Sequence, residues 1–437
     1  MNKKNILLLT SVSPNFSAGL VYDYISALEI AGFSVDILTK YKEEEVRNKI
    51  IYAYDYKEDS FKTQKTIRNA LKKKLPFLYK LYKSLIKVKK DNVSFPYSNI
   101  NLYDLPVPVD LYLNKLETGI YDAVVVLYMQ YMFTEKSLYA IYEKLKVPVY
   151  AFTIDMYLMT GGCYYPGNCQ GYLSGCKKCP HVPKKWQADI AKHFREKKKV
   201  YEDINLTVIA NSWSEFLFRR SLATKDLHFL KIPILINENL FCLKDMDRAR
   251  LLFNISSSKK FVVLAGVATL NKRKGFPFLV DALNRFYDSL SKEERKLVLF
   301  MVMGRVDSSV TKKIRMDVLA TGFLDKEMLS NAYSAANVYI SPSIDDAGPS
   351  MVNQSLMCGT PVISFNIGTA LDVIRDGKTG FAVGLEDTEE MANAMHEIYN
   401  MPKDDFLIMR NNCRIQSLRL SSTSAIADFF KKNIVTR

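Results

Sequence analysis

The chain has no run of about 18 uncharged apolar residues, so no transmembrane helix is expected. Its opening, MNKKNILLLTSVSPNF, starts with charge, but the apolar run is short and no convincing cleavage site follows. It reads as a first strand at an unprocessed cytoplasmic start, not as a signal peptide. Cysteine is scarce: seven in 437 residues do not make a disulfide scaffold. No repeat or low-complexity tract stands out. Zinc-finger, basic-zipper and RNA-recognition signatures are also missing, which argues against a nucleic-acid binder despite the basic charge.

Hydrophobic residues make up 48% of the chain, ample for sizeable cores, and the length predicts two or three domains. The formal charge is 61 − 46 = +15. Much of it comes from Lys62–Lys90, which holds eleven basic residues and no acid. Within that window PFLYKLYKSLIKVKK forms a helix on paper. At 100° per residue Phe77, Leu78, Leu81, Tyr82, Leu85 and Val88 share one side, and Lys80, Lys83, Lys87 and Lys90 the other. Such a helix suits an anionic membrane surface. The plainer alternative is a surface helix with a solvated lysine face.

Elements alternate as α/β in two halves. Asn5–Thr10 reads as a strand, Leu20–Ala31 as a helix stopped by Gly32, and FSVDILTK as a second strand. Strands resume at Ala123–Met129, Pro148–Ile154 and Leu206–Ser212, with a helix over Lys184–Asp203. The second half supplies Phe261–Gly266, Leu297–Gly304, Asn337–Ser343 and Thr360–Phe365, then helices over Thr388–Tyr399 and Thr423–Lys432. The expected domains are 1–236, carrying the basic insertion 62–90 and a cysteine cluster, and 237–422, with the last helix, 423–437, crossing back to the first.

The most informative stretch is SIDDAGPSMVNQSLMCGTPVISF, Ser343 to Phe365. It reads as a strand end, a loop with two carboxylates, a helix with Pro349 in its first position and Gly359 and Pro361 at its end, and another strand. A strand–loop–helix unit aims free N–H groups and the positive helix end at one point, a ready phosphate site. Asp346 and Gln354 lie eight apart, so both face one ligand if the helix forms.

This segment resembles the donor-binding signature of family 4 glycosyltransferases, a Glu-x7-Glu motif followed by Ala-Cys-Gly-Thr-Pro-Val. Here it reads Asp346-x7-Gln354, then Met357-Cys358-Gly359-Thr360-Pro361-Val362. The resemblance implies a GT-B fold: two doubly wound Rossmann-like domains about a central cleft. It assigns Asp346 to the donor sugar, Gln354 to the ribose, and the N–H groups of Ser350, Met351 and Val352 to the diphosphate. In GVATLNKRKG (Gly266–Gly275), Lys274 matches the family's phosphate lysine, Val267 replaces its arginine, and Lys272 or Arg273 restores that charge. Gly19 sits at the family's glycine pair beside the cleft, and Gly322-Phe323 at the segment that holds the base. Gly304-Arg305, Asn211-Ser212 and Asp372 also fall on family positions.

The first half carries DMYLMTGGCYYPGNCQGYLSGCKKCP, spaced Cys163-x5-Cys169-x6-Cys176-x2-Cys179. In a reducing compartment four close thiols read as a structural zinc site, with disulfide pairs or free thiols as alternatives. The segment resembles a subgroup of the same family, with His-Asp-Met-Trp and Thr-Gly-Gly-Cys, that builds capsules, exopolysaccharides and O-antigens. Ile154 stands where the subgroup has His. Asp155 survives as the residue that orients the acceptor hydroxyl or takes its proton, unless it is only a turn cap. The resemblance implies a nucleotide diphosphate-sugar donor, a lipid-linked glycan acceptor, retention of configuration, no catalytic metal, and a place at the inner face of the membrane. Because Ile154, Val267 and Gln354 depart from the pattern, a non-catalytic glycan-binding or partner-binding subunit is the alternative. A nucleotide-sugar epimerase of the same architecture is a third.

Overall fold

The computed structural model describes residues 3–13, 16–41, 49–52, 108–130, 132–267, 272–304 and 311–434. The basic segment 62–90, residues 268–271 and Arg305 lie outside the described residues, as does the side chain of Val267.

The apolar runs anticipated as strands build two parallel sheets. In the first half these are β1 (Asn5–Thr10), β2 (Ser34–Thr39), β3 (Ile50–Tyr52), β4 (Ala123–Tyr128), β5 (Val149–Phe152), β6 (Thr207–Ala210) and β7 (His228–Lys231). They form a seven-stranded sheet in the order β3-β2-β1-β4-β5-β6-β7. In the second half β8 (Phe261–Val267), β9 (Val298–Gly304), β10 (Val318–Gly322), β11 (Val338–Ser341), β12 (Val362–Phe365) and β13 (Gly380–Val383) form a six-stranded sheet, β10-β9-β8-β11-β12-β13. The pairings are parallel in both sheets. Helices cover both faces, so central strands are apolar along their whole length: AVVVLY of β4 is buried at every position.

Each sheet starts in its middle and winds outward both ways. The chain reverses between β1 and β4, and again between β8 and β11. At such switch points the loops leaving the strand ends diverge and leave a crevice for a ligand. The expectation of two doubly wound halves is therefore met.

One core fills the second half, and two layers of core sandwich the first sheet. The helix Thr423–Asn433 belongs to the first half's core. Its Phe430 is buried, with ring centroids 6.4 Å from Tyr24 and 6.2 Å from Phe152. Asn237 in the connector donates to Asp23 Oδ1 at 2.9 Å. The halves are thus tied at the connector and by the returning C-terminal helix.

Candidate functional site

At the second switch point, the turn Lys272–Lys274 follows β8 and docks on the loop that leaves β11. Ile344 N–H donates to Arg273 O at 2.8 Å. Gly275 makes the approach feasible: its φ is +65°, and a Cβ there would stand 1.6 Å from Pro342 O. The docking places two cations on one acid. Lys274 Nζ lies 2.5 Å from Asp346 Oδ2 and Arg273 Nη1 lies 3.1 Å from the same oxygen. Gly348 N–H donates to the other oxygen at 3.3 Å. Burial pushes the Asp346 carboxyl up, but Lys274 and Arg273 outweigh it and hold the group below its ordinary range. Of the two candidates for the lost arginine, Arg273 is the one that pairs with Asp346. Lys272 is exposed and has no ion pair among the described residues.

Helix Ser350–Met357 starts beside this pair, with Pro349 as its N-cap and not at its first position. That one-residue difference corrects one expectation: Val352 N–H is already spent on Pro349 O at 3.0 Å. Ser350 and Met351 keep first-turn N–H groups with no backbone acceptor among the described residues. Gln354 needs a second correction. Its amide oxygen accepts from the buried Tyr333 hydroxyl at 3.0 Å, so the atom assigned to the ribose points into the protein. Tyr333 has no signal in the motif that would have announced this. Phe323, after the β10 glycine, is 68% exposed, an open aromatic face suited to stacking.

Across the cleft, Asp155 follows β5. Its Oδ2 accepts from Gln130 Nε2 at 2.7 Å and its Oδ1 from Tyr157 N–H at 2.7 Å. It therefore caps the turn Tyr157–Met159, and burial raises its pKa against the opposing pull of those donors. Ile154 lines a mixed cavity of ≈ 60 Å³ with Phe152, Ile209 and Pro233 and with the polar Thr153 and Asn211. Gly19, at φ +77°, faces Lys326 of the second half, whose Nζ would be 2.9 Å from an added Cβ. Two further bridges join the halves. Asn211, at the end of β6, and Ser214 both donate to Ala347 O. Asp372 accepts from the Ser212 N–H at 2.9 Å and from its hydroxyl. Asn211-Ser212 and Asp372, noted separately as family positions, therefore meet.

The four clustered cysteines line a single cavity of ≈ 20 Å³ with Gly161, Gly171 and Ile190. Gly171 N–H donates to Cys169 Sγ at 3.4 Å. All are free thiols. Among the described residues no three Cys, His, Asp or Glu side chains are grouped to hold a metal ion. The zinc site expected from the spacing has its four sulfurs on the wall of one small cavity. Beneath this loop Lys197 is fully buried. It donates to Tyr157 O at 2.7 Å and Thr160 O at 3.0 Å, and lies 3.5 Å from the Tyr157 ring centroid.

With two cations and a helix N-terminus at a switch point, relatives become informative. Residues 259–401, the span that contains the cradle, match the family model described as glycosyl transferases group 1. The second half is thus similar to group 1 glycosyl transferases over that span. The chain is also 24% identical over 208 residues to an uncharacterised 41.2 kDa protein in the cps region of Klebsiella pneumoniae, covering 46% of this chain and 55% of that one. It is 24% identical over 168 residues to the D-inositol 3-phosphate glycosyltransferase of Thermobifida fusca, covering 36% and 39%. The chain thus spans about half the length, or less, of these two relatives. Anabaena HepE, solved with UDP and glucose, aligns over 99% of this chain and 100% of its own at 14% identity, with a TM-score of 0.62. The fold is GT-B.

Two outcomes follow from the first-half geometry. If the four sulfurs hold zinc, protein purified without chelator carries about one zinc per chain by elemental analysis; no stoichiometric metal leaves the cluster as thiols. Burial lowers the Lys197 ammonium to about 8 from 10.5. Between those values the unfolded chain binds a proton that the folded chain has released, so stability rises with pH through the window. Relative to Lys197→Met, the unmodified protein should gain on the order of 3 kcal/mol across it in denaturant titrations.

Proposed function

We propose that this protein transfers a sugar from a nucleotide diphosphate-sugar to a hydroxyl acceptor. The observation that carries the reading is the convergence of Arg273, Lys274 and the start of helix Ser350–Met357 on one point at the β8/β11 switch. Fixed cations there answer the negative charge that develops on the leaving diphosphate. The two free first-turn N–H groups add to that field.

In this reading the diphosphate takes over Lys274 and Arg273, and Asp346, released from them, turns to the donor sugar. Phe323 offers a face to the base. Asp155 approaches from the other domain. Held by Gln130 and the Tyr157 N–H, with its pKa raised by burial, it orients the acceptor hydroxyl and takes its proton. Gln354, fixed through Tyr333, leaves only its amide nitrogen for the ribose, so the ribose contact is weaker than a carboxylate's.

The finer reading extends to a lipid-linked glycan acceptor, retention of configuration, and peripheral attachment at the inner membrane face during surface polysaccharide synthesis. The cps-region name of the Klebsiella relative and the net charge of +15 support it. No helix among the described residues is long and apolar enough to cross a membrane. The non-catalytic alternative draws on one observation, the inward-turned Gln354 oxygen.

A melting panel of UDP, GDP, ADP and CMP with their common sugar conjugates tests the reading. One nucleotide family should raise the melting temperature. At about 100 times Kd the gain is about 2.7 kcal/mol, about 5–10 °C for a domain of this size. Lys274→Ala should abolish the rise. No response to any nucleotide would favour the non-catalytic reading.

A further inference from the structure

We infer that Tyr165, carried by the cysteine loop of the first domain, is a donor-contacting residue that closes the site over the diphosphate. The inference rests on the donor-site reading above. Nothing in the motif comparison marks this residue; its position does.

The Tyr165 ring lies over the Arg273 guanidinium, 3.8 Å from ring centroid to Arg273 Cζ. That guanidinium is simultaneously bonded to Asp345 O at 3.2 Å and Asp346 Oδ2 at 3.1 Å. Two residues on, Gly167 N–H donates to Asp345 Oδ2 at 2.8 Å. The tip of the loop therefore grips the donor loop at two points, one an aromatic face on the phosphate cation itself. The flanks of the tip are fixed, because Cys163, Pro166 and Cys169 all line the cysteine cavity. The loop thus carries a rigid tip that reaches the other domain at the place where the diphosphate is held.

The Tyr165 hydroxyl has no hydrogen-bond partner among the described residues. It stands within electrostatic reach of Asp346, Asp345 and Asp155, that is, of carboxylates on both sides of the cleft. Burial and those negative charges raise its pKa, so it stays a neutral O–H donor. A neutral donor beside a guanidinium, on the loop that reaches the donor side of the cleft, is fitted to a phosphate or sugar oxygen arriving there. The ring above Arg273 shields that cation from water, which strengthens its pull on the diphosphate.

The test is Tyr165→Phe and Tyr165→Ala in the full chain. Each is titrated calorimetrically with UDP, GDP and ADP and assayed for sugar release from the conjugate of whichever nucleotide binds. Tyr165→Phe keeps the ring on Arg273. It should bind the nucleotide within about threefold of the unmodified chain, yet show kcat lowered about tenfold at unchanged KM. Tyr165→Ala loses the cation–π cover as well and should bind about tenfold more weakly. If the unmodified chain binds and both variants match it in affinity and kcat, Tyr165 only packs the loop and the inference is overturned. If the unmodified chain binds none of the three nucleotides, the donor-site reading itself fails, and the inference with it.

Discussion

A buried carboxylate needs its charge answered, and Asp346 is answered twice, by Lys274 and by Arg273. Its side chain is only 7% exposed, so losing both partners would strand charge in a poorly solvated place, at a typical cost of about 3–5 kcal/mol, whereas losing one leaves the other paired. The local architecture is arranged around this arrangement. Gly275 lets the basic turn lie against Pro342, the Ile344–Arg273 backbone bond fixes their register, and Pro349 starts the helix just beyond. On the proposed reading this is a diphosphate cradle built in advance, with its charge held by an internal acid. A diphosphate entering the cradle exchanges one partner for another of the same sign. The cations stay paired in both states, and the released Asp346 carboxylate is answered, in the proposed reading, by the hydroxyls of the donor sugar.

The same loop is where the two domains meet. Ala347 receives Asn211 and Ser214, Asp345 receives Gly167, and Arg273 receives the Tyr165 ring. Asp372 closes the far side on Ser212. The first domain therefore bears directly on the residues proposed to hold the donor. Its grip depends on the loop from Thr160 to Cys179, which Lys197 pins from below through two carbonyls. A buried lysine is a costly device, and its position under the turn capped by Asp155 ties acceptor-side geometry to the cysteine loop.

The strands were legible because parallel strands covered on both faces must be apolar over most of their length, as β1, β4, β8 and β9 are. Helix Lys184–Asp203 and helix Thr388–Tyr399 were legible from their amphipathic period. Helix Lys403–Ser421 was not: Leu407, Ile408 and Ile415 are exposed while Arg410 and Ser417 are buried, so apolarity does not follow one face. At the site, residue types and order in the chain were readable, but pairing was not. The motif named Asp346 and Lys274 separately, and nothing in it says that they bond. Gln354 was placed on a ligand by spacing, yet Tyr333, twenty-one residues earlier, decides which way its oxygen turns. Val352 was lost to a shift of a single residue at the helix start. Gln130 and Tyr165 were invisible because their roles arise from loops brought together by the fold.

The most direct test of the exchange at Asp346 is calorimetric titration of UDP, GDP and ADP into the unmodified chain and into Asp346→Asn. Asparagine keeps the shape but releases Lys274 and Arg273 from their internal competitor. Free nucleoside diphosphate should then bind at least as tightly as before, by up to about tenfold more, while sugar release from the matching conjugate is lost. Loss of nucleotide binding in a folded Asp346→Asn protein would contradict the account, because it would make the carboxylate a requirement for the phosphate site and not its stand-in.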